Sequence, residues 1–599
     1  MSLDRVKVFY RRSPLIQGLI VAAALTLLCL SVGRAWRLST FDDAYITYRC
    51  AENFAHGHGL VFNPGEQVEA SSNFLFAVLI GVALRLTEIS ADQAALLLNH
   101  LGLFFILLLL AWRTARQGIA GPFVLRWAGL LFTALHPGLW VYAHSGMETV
   151  FFAALLFAGF VAVVEHVERG YPAAVAGLLI GLAADVRMEA AAFAALSAVL
   201  IFMLNQPGRR WRPLLGLTAA FLAVFGPALA YRWLFFGYPF PNAYYVKVDG
   251  GSAQLAVRGF LYSVFWFIAN PIAVIVPLAI RRLWPQPGPD KARALIGLSW
   301  IGGYVAYNCY VGGDYFSFGR FFIPVIPIVS WLMIEWWPQV GAAFQRPWPR
   351  LAALWPRLAR WVLAVTLLAT LLFPKNLFLY VAQQKVVRIW AAVGMKLRQA
   401  APRDLTLYVV NAGAIPYFSG LVAHDSLGLT DPVIAHRKVR LGMGLAGHEK
   451  SDLTRIADLQ PDLLFINFYP AGTDLGHLVA SFFQIATQLR KQARGKPVNW
   501  NLAQLIQAHP ELRYDLLANT FSLSLLVNRS NLKDYSPMVL PVAGWSALFL
   551  VRREVVDYVP ALQPVTLPPR PLPAGVKFGA GGPGQLSTAR TPVSGSGIR

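Results

Sequence analysis

The sequence predicts a polytopic α-helical membrane protein with about eleven transmembrane helices and a C-terminal extracytoplasmic α/β domain. Of its 599 residues, 56% are hydrophobic and only 14% are charged, whereas about a quarter of the residues of an ordinary soluble domain are charged. Several apolar windows approach the roughly 20 residues that a helix needs to cross the hydrocarbon core. Because lipid offers the backbone no hydrogen-bond partner, we expect these windows to be helices.

The first apolar stretch runs from Leu15 to Val32 and predicts a retained membrane anchor. It is longer than the apolar region of a signal peptide and lacks a convincing small-residue cleavage site. Basic residues before it favour a cytoplasmic N-terminus by the positive-inside rule. These basic residues are Arg5, Lys7, Arg11 and Arg12.

Ten further apolar windows follow. Connections rich in Arg or Lys are expected on the cytoplasmic side. These basic connections fall on the cytoplasmic side along the whole chain if the short segment from Asn73 to Leu86 is re-entrant or interfacial and does not count as a crossing. This gives eleven crossings and an external C-terminus. The windows cover residues 93–112, 125–142, 148–165, 172–186, 188–204, 213–234, 258–281, 293–311, 320–338 and 361–379.

A change in composition after Phe373 sets the domain organisation. The predicted membrane domain covers residues 1–380. Short apolar runs then alternate with polar, helix-like stretches, which predicts a compact α/β domain at 381–557. Residues 558–599 are rich in Pro, Gly and Ser without periodicity and predict a disordered tail.

The formal charge of +22 does not indicate a nucleic-acid-binding protein. The basic residues separate the apolar windows and do not form one patch. The three cysteines, Cys29, Cys50 and Cys309, have no metal-binding or redox spacing. Cys29 and Cys309 fall in or near predicted helices, so a disulfide framework is not expected.

Polar residues concentrate in the loops assigned to the outer side, and the first of these loops carries Asp42 and Asp43. A helix is expected to start there, where acidic side chains suit the positive end of the helix dipole. The pair either caps an interfacial helix or provides the carboxylate that a sugar-transfer reaction needs. In a transfer it would accept a proton from an acceptor hydroxyl or stabilise charge at the anomeric carbon. The residues alone leave both interpretations open.

Two basic residues of the outer loops can be interpreted either as membrane-interface residues or as phosphate ligands. Lys247 follows a Pro-rich segment, and Arg320 opens a helix after Asp314 and two glycines. Long basic side chains often reach from a helix to the membrane interface. An ammonium or a guanidinium is also a good phosphate ligand.

Further ionisable residues lie at the predicted outer ends of helices. Such groups usually face protein or water and are often functional. Arg187 and Glu189 are equally compatible with a structural ion pair. The residues in question are His144, Glu148, Arg187 and Glu189.

Seven runs in the sequence resemble bacterial membrane glycosyltransferases of the GT-C superfamily. The most similar group contains the mycobacterial terminal β-(1→2)-arabinofuranosyltransferase and the flagellar motor control protein. Together the runs are specific, whereas the Asp pair alone is not. They occur in the same order between about residues 41 and 470: FDDAYITYR, GHGLVFNPGEQVEASSN, SGMET, YPFPNAYYVK, GGDYFSFGRF, GAIPYFSGL and DSLGLTDPVIAH.

The resemblance implies a GT-C-like fold in the inner (plasma) membrane of a bacterium, with its site at the outer face. It implies a polyprenyl-phosphate-linked sugar as donor, arabinofuranose included, and a cell-envelope glycan or glycolipid as acceptor. Asp42 in the first place, and then Asp43, would be catalytic, and Lys247, Arg320 and Arg49 would hold the donor phosphate. The sugar and acceptor pocket would consist of Glu69, His144, Glu148, Asn242, Asp314, Arg187 and Glu189.

No ligand cluster in the sequence requires a metal, although the Asp pair is compatible with a divalent cation. Two other function classes remain as alternatives. A non-enzymatic envelope or flagellar assembly factor predicts that changes at Asp42 and Asp43 leave the phenotype untouched. A transporter of lipid-linked sugars predicts polar groups at the bilayer midplane, broken helices and an internal repeat, and no such repeat is visible.

Overall fold

The computed structural model of the chain describes residues 14–35, 38–117, 123–249, 251–284, 288–346, 348–373, 376–442, 444, 446–452, 455–476, 478–480 and 534–567. The basic residues before the first helix lie outside the described residues. Of the predicted tail at residues 558–599, the part from residue 568 onward also lies outside the described residues.

The chain forms two compact units that interleave along the sequence. The first unit contains Met1–Val387, Asn411–Phe418 and Ala423–Ser451, and the second contains Arg388–Val410, Ser419–Val422 and Asp452–Arg599. The sequence places a single boundary after residue 380, and the predicted domain ranges remain a prediction.

Helices dominate the first unit. In chain order the helices are α1 (Pro14–Ala35), α2 (Asp42–Ala55), α3 (Phe74–Leu86), α4 (Ala91–Gln117), α5 (Phe123–Leu135), α6 (Pro137–His144), α7 (Thr149–Arg169), α8 (Ala173–Val186), α9 (Ala190–Leu204), α10 (Trp211–Tyr231), α11 (Asn242–Lys247), α12 (Ala253–Ala269), α13 (Ile272–Leu283), α14 (Pro289–Val311), α15 (Val325–Trp336), α16 (Val340–Ala343), α17 (Pro349–Leu372), α18 (Asn376–Ala400, in the second unit from Arg388), α19 (Ala414–Ser419), α20 (Pro432–Ala435) and, in the second unit, α21 (Arg455–Leu459). Short 3₁₀ or π-helical turns occur at Pro207–Arg209, Arg232–Phe236, Ser317–Phe322, Trp337–Gln339 and Arg553–Tyr558.

The chain is a multi-pass membrane protein. Among the described residues, five helical segments are long and apolar enough to cross a membrane, and α12 with α13, bent by 89°, would make a sixth. The count of eleven crossings remains a prediction. The segment expected to be re-entrant or interfacial forms α3, whose 13 residues are fewer than a crossing needs. The five segments are Leu15–Ala35, Ala91–Arg116, Thr149–Arg169, Pro207–Phe236 and Pro349–Ala400.

Prolines break two of the predicted apolar windows. The window at 125–142 divides into α5 and α6 at Pro137, and the window at 258–281 divides into α12 and α13 at Pro271. A proline has no backbone N–H and its ring clashes with the preceding turn, so an uninterrupted α-helix is unfavourable there. Asn270 lies at the second break, where its amide donates to the carbonyl of Trp266 over 3.0 Å.

The core of the first unit surrounds α15. Every residue of this helix except Glu335 is buried, and Glu335 pairs with Arg113 of α4. Trp331 of α15 has no exposed surface. Gly129 lets α5 approach α15 closely, because a Cβ at this position would overlap the carbonyl oxygen of Ser330. Small residues at such crossings are a common means of packing membrane helices.

The second unit contains a small sheet, as the sequence predicts for this part of the chain. Its strands pair in the order β1–β3–β5–β4–β6, with β1 and β3 parallel and the other pairs antiparallel. Phe465 and Phe549 pack between β3 and β5 with ring centroids 5.4 Å apart. The strands are β1 (Thr406–Val409), β2 (Val422–Asp425, mostly in the first unit), β3 (Leu463–Pro470), β4 (Tyr535–Val542), β5 (Trp545–Arg552) and β6 (Gln563–Pro564).

Candidate functional site

A cavity of about 370 Å³ lies in the first unit. It is bounded by the start of α2, the start of α7, the turn between α8 and α9, the end of α11 and the end of α14. The sequence assigns all of these helix ends to the outer side. Four acidic and four basic residues line the cavity: Asp43, Glu148, Glu189, Asp314, Arg187, Lys247, Arg258 and Arg320.

The start of α2 places the two aspartates in different surroundings. Consecutive residues of a helix project about 100° apart, so Asp42 and Asp43 cannot face the same way. Asp43 lines the cavity. Asp42 instead accepts a hydrogen bond from the backbone N–H of Ala414 over 2.8 Å. The pair therefore does not form a joint cation site within the cavity.

Asp42 contacts the first two residues of the segment GAIPYFSGL, Gly413 and Ala414. Gly413 packs so closely that a Cβ there would overlap the carbonyl oxygen and the carboxyl group of Asp42. Burial raises the pKa of Asp42 to about 7, although the hydrogen bond from Ala414 opposes this change. In these surroundings the carboxyl group connects two segments of the first unit, and it does not line the cavity.

Arg320 projects from a tight turn into the cavity. Phe318 and Gly319, the two residues before it, have φ values of 59° and 64°. Nε of Arg320 lies 2.6 Å from Oδ2 of Asp314, and Nη1 lies 3.9 Å from Oδ2 of Asp43. The side chain of Arg320 is only 5% exposed, whereas that of Asp43 is 26% exposed. Asp314 therefore compensates most of the charge of Arg320, and Asp43 is the more open carboxylate.

Lys247 ends α11 and lines the cavity from another side. Asn242, at the first position of this helix, fixes it by donating from its side chain to the carbonyl of Gly428 over 2.7 Å. Burial lowers the pKa of Lys247, while Asp43 acts in the opposite direction. In the part of the chain that the structure describes, no carboxylate lies within 4.0 Å of its ammonium group. Lys247 is therefore a cation without a close counter-ion.

Glu148, Arg187 and Glu189 form a linked ion-pair group at the cavity wall. Nη1 of Arg187 lies 2.7 Å from Oε1 of Glu148, and Nε of Arg187 lies 2.5 Å from Oε1 of Glu189. Asn73 donates to the other oxygen of Glu148 over 2.8 Å. Burial raises the pKa of Glu148, but Arg187 and Arg320 more than offset this and the pKa is lowered overall. The structural ion pair considered for Arg187 and Glu189 exists, and its members also line the cavity.

Arg49, assigned to the donor phosphate by the resemblance, does not line the cavity. Its guanidinium donates to the carbonyls of Phe62 and Pro416, both over 2.7 Å, and to Oδ1 of Asn63 over 2.9 Å. Arg49 faces these acceptors because it projects from a different side of α2 than Asp43. It holds the loop after α2 to the segment around Pro416.

Three residues predicted for the sugar pocket also lie outside the cavity lining. Glu69 pairs with the fully buried Arg232 over 2.9 Å. Asn242 supports α11 through Gly428, as described above. His144 is buried at the end of α6, where Nδ1 donates to the carbonyl of Trp140 over 2.9 Å. These side chains support neighbouring segments.

The sequence interpretation missed several lining residues. Arg258 lies inside a predicted membrane window, where a single basic residue gives no separate signal. It pairs with Glu449 over 3.0 Å. Asn73 ends a run that resembles the family, but nothing in the sequence connects it to Glu148. Leu429 and Gly447 come from residues 423–451, which the sequence places in the C-terminal domain.

An apolar groove of about 600 Å³ adjoins one wall of this site. It follows α12, and its lining includes Val257, Leu261 and Phe265. Arg258 lines both the groove and the cavity. The groove offers a mostly apolar surface that meets the charged cavity at Arg258.

A profile described as a domain of unknown function (DUF8728) matches residues 376–516. No curated protein matches the chain.

Two solved structures of ArnT from Cupriavidus metallidurans are similar in fold. The structure bound to undecaprenyl phosphate is 16% identical with a TM-score of 0.48, and the match covers 77% of this chain and 93% of ArnT. The apo structure is 16% identical with a TM-score of 0.46, and the match covers 76% of this chain and 94% of ArnT. At 16% identity this likeness concerns the fold alone.

Proposed function

We propose that this chain is a membrane glycosyltransferase of the GT-C type. It would move a sugar, with arabinofuranose as the first candidate, from a polyprenyl-phosphate donor to a cell-envelope glycan or glycolipid. The reaction would take place at the outer face of the inner membrane. The observation that carries the proposal is the pairing of an uncompensated cation, Lys247, with an open carboxylate, Asp43, in one cavity beside an apolar groove.

The charges of the cavity favour an anionic ligand at Lys247. Arg187 is compensated by Glu148 and Glu189, Arg258 by Glu449, and most of the charge of Arg320 by Asp314. Lys247 has no such partner among the described residues. An ammonium is a compact ligand for phosphate oxygens, and in these half-buried surroundings the attraction is stronger than in water.

In the proposed reaction, Lys247 and Arg320 stabilise the departing lipid phosphate. The bond between the anomeric carbon and the phosphate oxygen breaks, and its electron pair leaves with the phosphate. A new bond forms from the anomeric carbon to the acceptor oxygen. Because the phosphate is already a good leaving group, positioning and charge compensation contribute more than acid catalysis.

Asp43 would receive the proton of the acceptor hydroxyl. Its exposed fraction leaves it accessible to an acceptor hydroxyl, and Arg320 lies 3.9 Å away. General base catalysis of this kind contributes about 10²- to 10⁴-fold to the rate. The resemblance alone favours Asp42, and the geometry favours Asp43 for this role.

The groove along α12 would receive the polyprenyl chain. Its lining is mostly apolar, and Arg258 lines both the groove and the cavity. A lipid phosphate needs a polar site for its head and an apolar surface for its tail. The adjacent cavity and groove provide both.

A sugar-transfer assay with purified protein in detergent tests the proposal. Polyprenyl-phosphate-linked sugars, arabinofuranose included, are offered with short envelope glycans as acceptors. The wild type is compared with Asp43→Asn and with Glu88→Gln, which changes an exposed carboxylate after α3. We expect transfer by the wild type and by Glu88→Gln and its loss in folded Asp43→Asn.

Transfer that survives the change at Asp43 would leave the enzyme class intact but overturn the assignment of this carboxylate. If the wild type neither transfers sugar from the donors offered nor binds polyprenyl phosphate, the glycosyltransferase proposal fails. The assembly-factor alternative then becomes the better explanation.

A further inference from the structure

Three side chains with metal-binding atoms converge at a second place in the first unit, away from the cavity lining. Cys29 of α1, His100 of α4 and His144 of α6 each offer one ligand atom, and these atoms all lie within 4.8 Å of one another. All three residues are buried, with exposed fractions of 1%, 8% and 4%. The two imidazole rings meet edge to face with centroids 4.7 Å apart.

The hydrogen bonds of both histidines fix their tautomers. Nδ1 of His100 lies 2.8 Å from the carbonyl of Leu96, and Nδ1 of His144 lies 2.9 Å from the carbonyl of Trp140. A carbonyl oxygen can only accept, so each Nδ1 carries the proton in the neutral ring. Nε2 of each ring is therefore the atom with the lone pair.

Both of these Nε2 atoms are buried, and neither has a partner at hydrogen-bond geometry in the described part of the chain; the ring of His144 also has a backbone contact with Leu30. A buried acceptor without a partner costs free energy. The thiol of Cys29 has one hydrogen and can satisfy only one of the two nitrogens. A single cation bound by the sulfur and by both nitrogens would satisfy all three groups at once.

We propose that Cys29, His100 and His144 bind a thiophilic transition-metal ion, with Zn²⁺ as the first candidate and Cu⁺ as the second. Thiolate and imidazole ligands together are typical of such ions. A histidine that donates its other N–H to a backbone carbonyl is also the usual arrangement around a bound metal. This proposal does not rest on the proposed sugar transfer.

The required rearrangement is small. A tetrahedral zinc with Zn–S of about 2.3 Å and Zn–N of about 2.0–2.1 Å holds its ligand atoms about 3.3–3.6 Å apart. Atoms within 4.8 Å of one another reach this spacing by movements of about 1 Å. Gly33 of α1 lies against the imidazole of His144, where a Cβ would overlap the ring. This glycine leaves the space in which the His144 ring sits.

The metal would connect three helices next to the catalytic cavity. His144 ends α6, and Glu148 of the cavity follows after one turn. In that turn the carbonyl of Ser145 accepts from the backbone N–H of Phe41 over 2.9 Å, directly before α2. A metal at His144 would therefore fix the turn that positions Glu148 and the start of α2.

Measuring bound metal tests the proposal without any activity assay. Purified full-length protein in detergent is stripped with a chelator, incubated separately with Zn²⁺ and with Cu⁺, desalted and analysed by mass spectrometry for metal per chain. We expect about one equivalent of one of these ions in the wild type. We also expect X-ray absorption to show one sulfur and two nitrogen ligands.

Variants distinguish this site from incidental binding. Cys29→Ser, His100→Ala and His144→Ala should each lose the tightly bound ion, whereas Cys309→Ser and the exposed His58→Ala should keep it. Gly33→Ala retains all three ligands but displaces the ring of His144, and it should lose the ion as well. If the folded wild type binds neither ion, or if Cys29→Ser binds as much as Cys309→Ser, the proposal is overturned.

Discussion

The carboxylate of Asp43 lies 3.9 Å from the guanidinium of Arg320, which in turn lies 2.6 Å from Asp314. The shorter contact compensates the arginine, so Asp43 has a cationic neighbour without being tied to it. This arrangement leaves Asp43 accessible to a hydroxyl group. It also leaves Lys247 as the cation most available to an anionic ligand.

Replacing Lys247 by Met should weaken the use of the donor. A charged hydrogen bond is worth about 1.5–3 kcal/mol, which corresponds to a roughly 10- to 150-fold rise in KM. Lys247→Arg should retain part of the affinity because it keeps the charge. Steady-state kinetics and binding of polyprenyl phosphate provide the measurement. The exposed Lys438→Met serves as the control, and an unchanged KM in Lys247→Met would contradict the assignment.

The pKa of Asp42 predicts a pH-dependent stability. Burial raises this pKa to about 7 from the ordinary value of 3.8, so the folded state holds the proton more tightly than the unfolded state. The resulting stabilisation is full at low pH and is lost as the pH rises through 7. Asp42→Asn keeps an oxygen for the N–H of Ala414 but does not ionise. We expect the melting temperature of the wild type, relative to Asp42→Asn, to fall between pH 5 and pH 8. A constant difference would contradict the burial of this group.

Gly413→Ala should reduce activity by displacing the start of α2. The added Cβ would overlap the main chain and carboxyl group of Asp42, and Asp43 is the next residue. A displacement of about 1 Å at a reacting group can lower the rate about 100-fold. The control is Gly208→Ala, since a Cβ at Gly208 meets nothing within 4 Å. Equal activity of the two variants in the transfer assay would show that Gly413 does not position the site.

The buried pair of Glu69 and Arg232 should show strong coupling in unfolding experiments. Removing one partner leaves a buried charge without compensation, which costs about 3–5 kcal/mol. We expect Glu69→Gln and Arg232→Met to destabilise the protein singly and the double variant to recover much of the loss. Chemical unfolding in detergent gives the free energies for this double-mutant cycle. Additive effects would indicate that Glu69 has a role other than neutralising Arg232.

The sequence alone predicted a multi-pass membrane protein because the hydrophobic length of a segment is a local property. It also predicted the helix that begins at Asp42 and the strands around Leu407, Leu464 and Phe549. Apolar runs did not reveal every break, since the effect of Pro137 or Pro271 depends on how the freed backbone groups find partners. The crossing count remains a prediction for this reason.

The candidate site was only partly predictable. Asp43, Glu148, Lys247 and Arg320 were selected because charged residues at helix ends are unusual in a chain this apolar, and the fold brings them to one cavity. Arg49 and Glu69 had the same signal in sequence. In the structure they satisfy buried partners elsewhere, because the direction of a side chain depends on the rotation of its helix.

Composition therefore determined that the chain is a multi-pass membrane protein, and the motifs selected the charged residues to test. Only the tertiary structure decided which of two adjacent aspartates faces the cavity, since a helix turns their side chains about 100° apart. Only the tertiary structure brought Cys29, His100 and His144 together, because they lie on three helices far apart in sequence. Distances between side chains on different helices depend on packing, and no spacing along the chain encodes them.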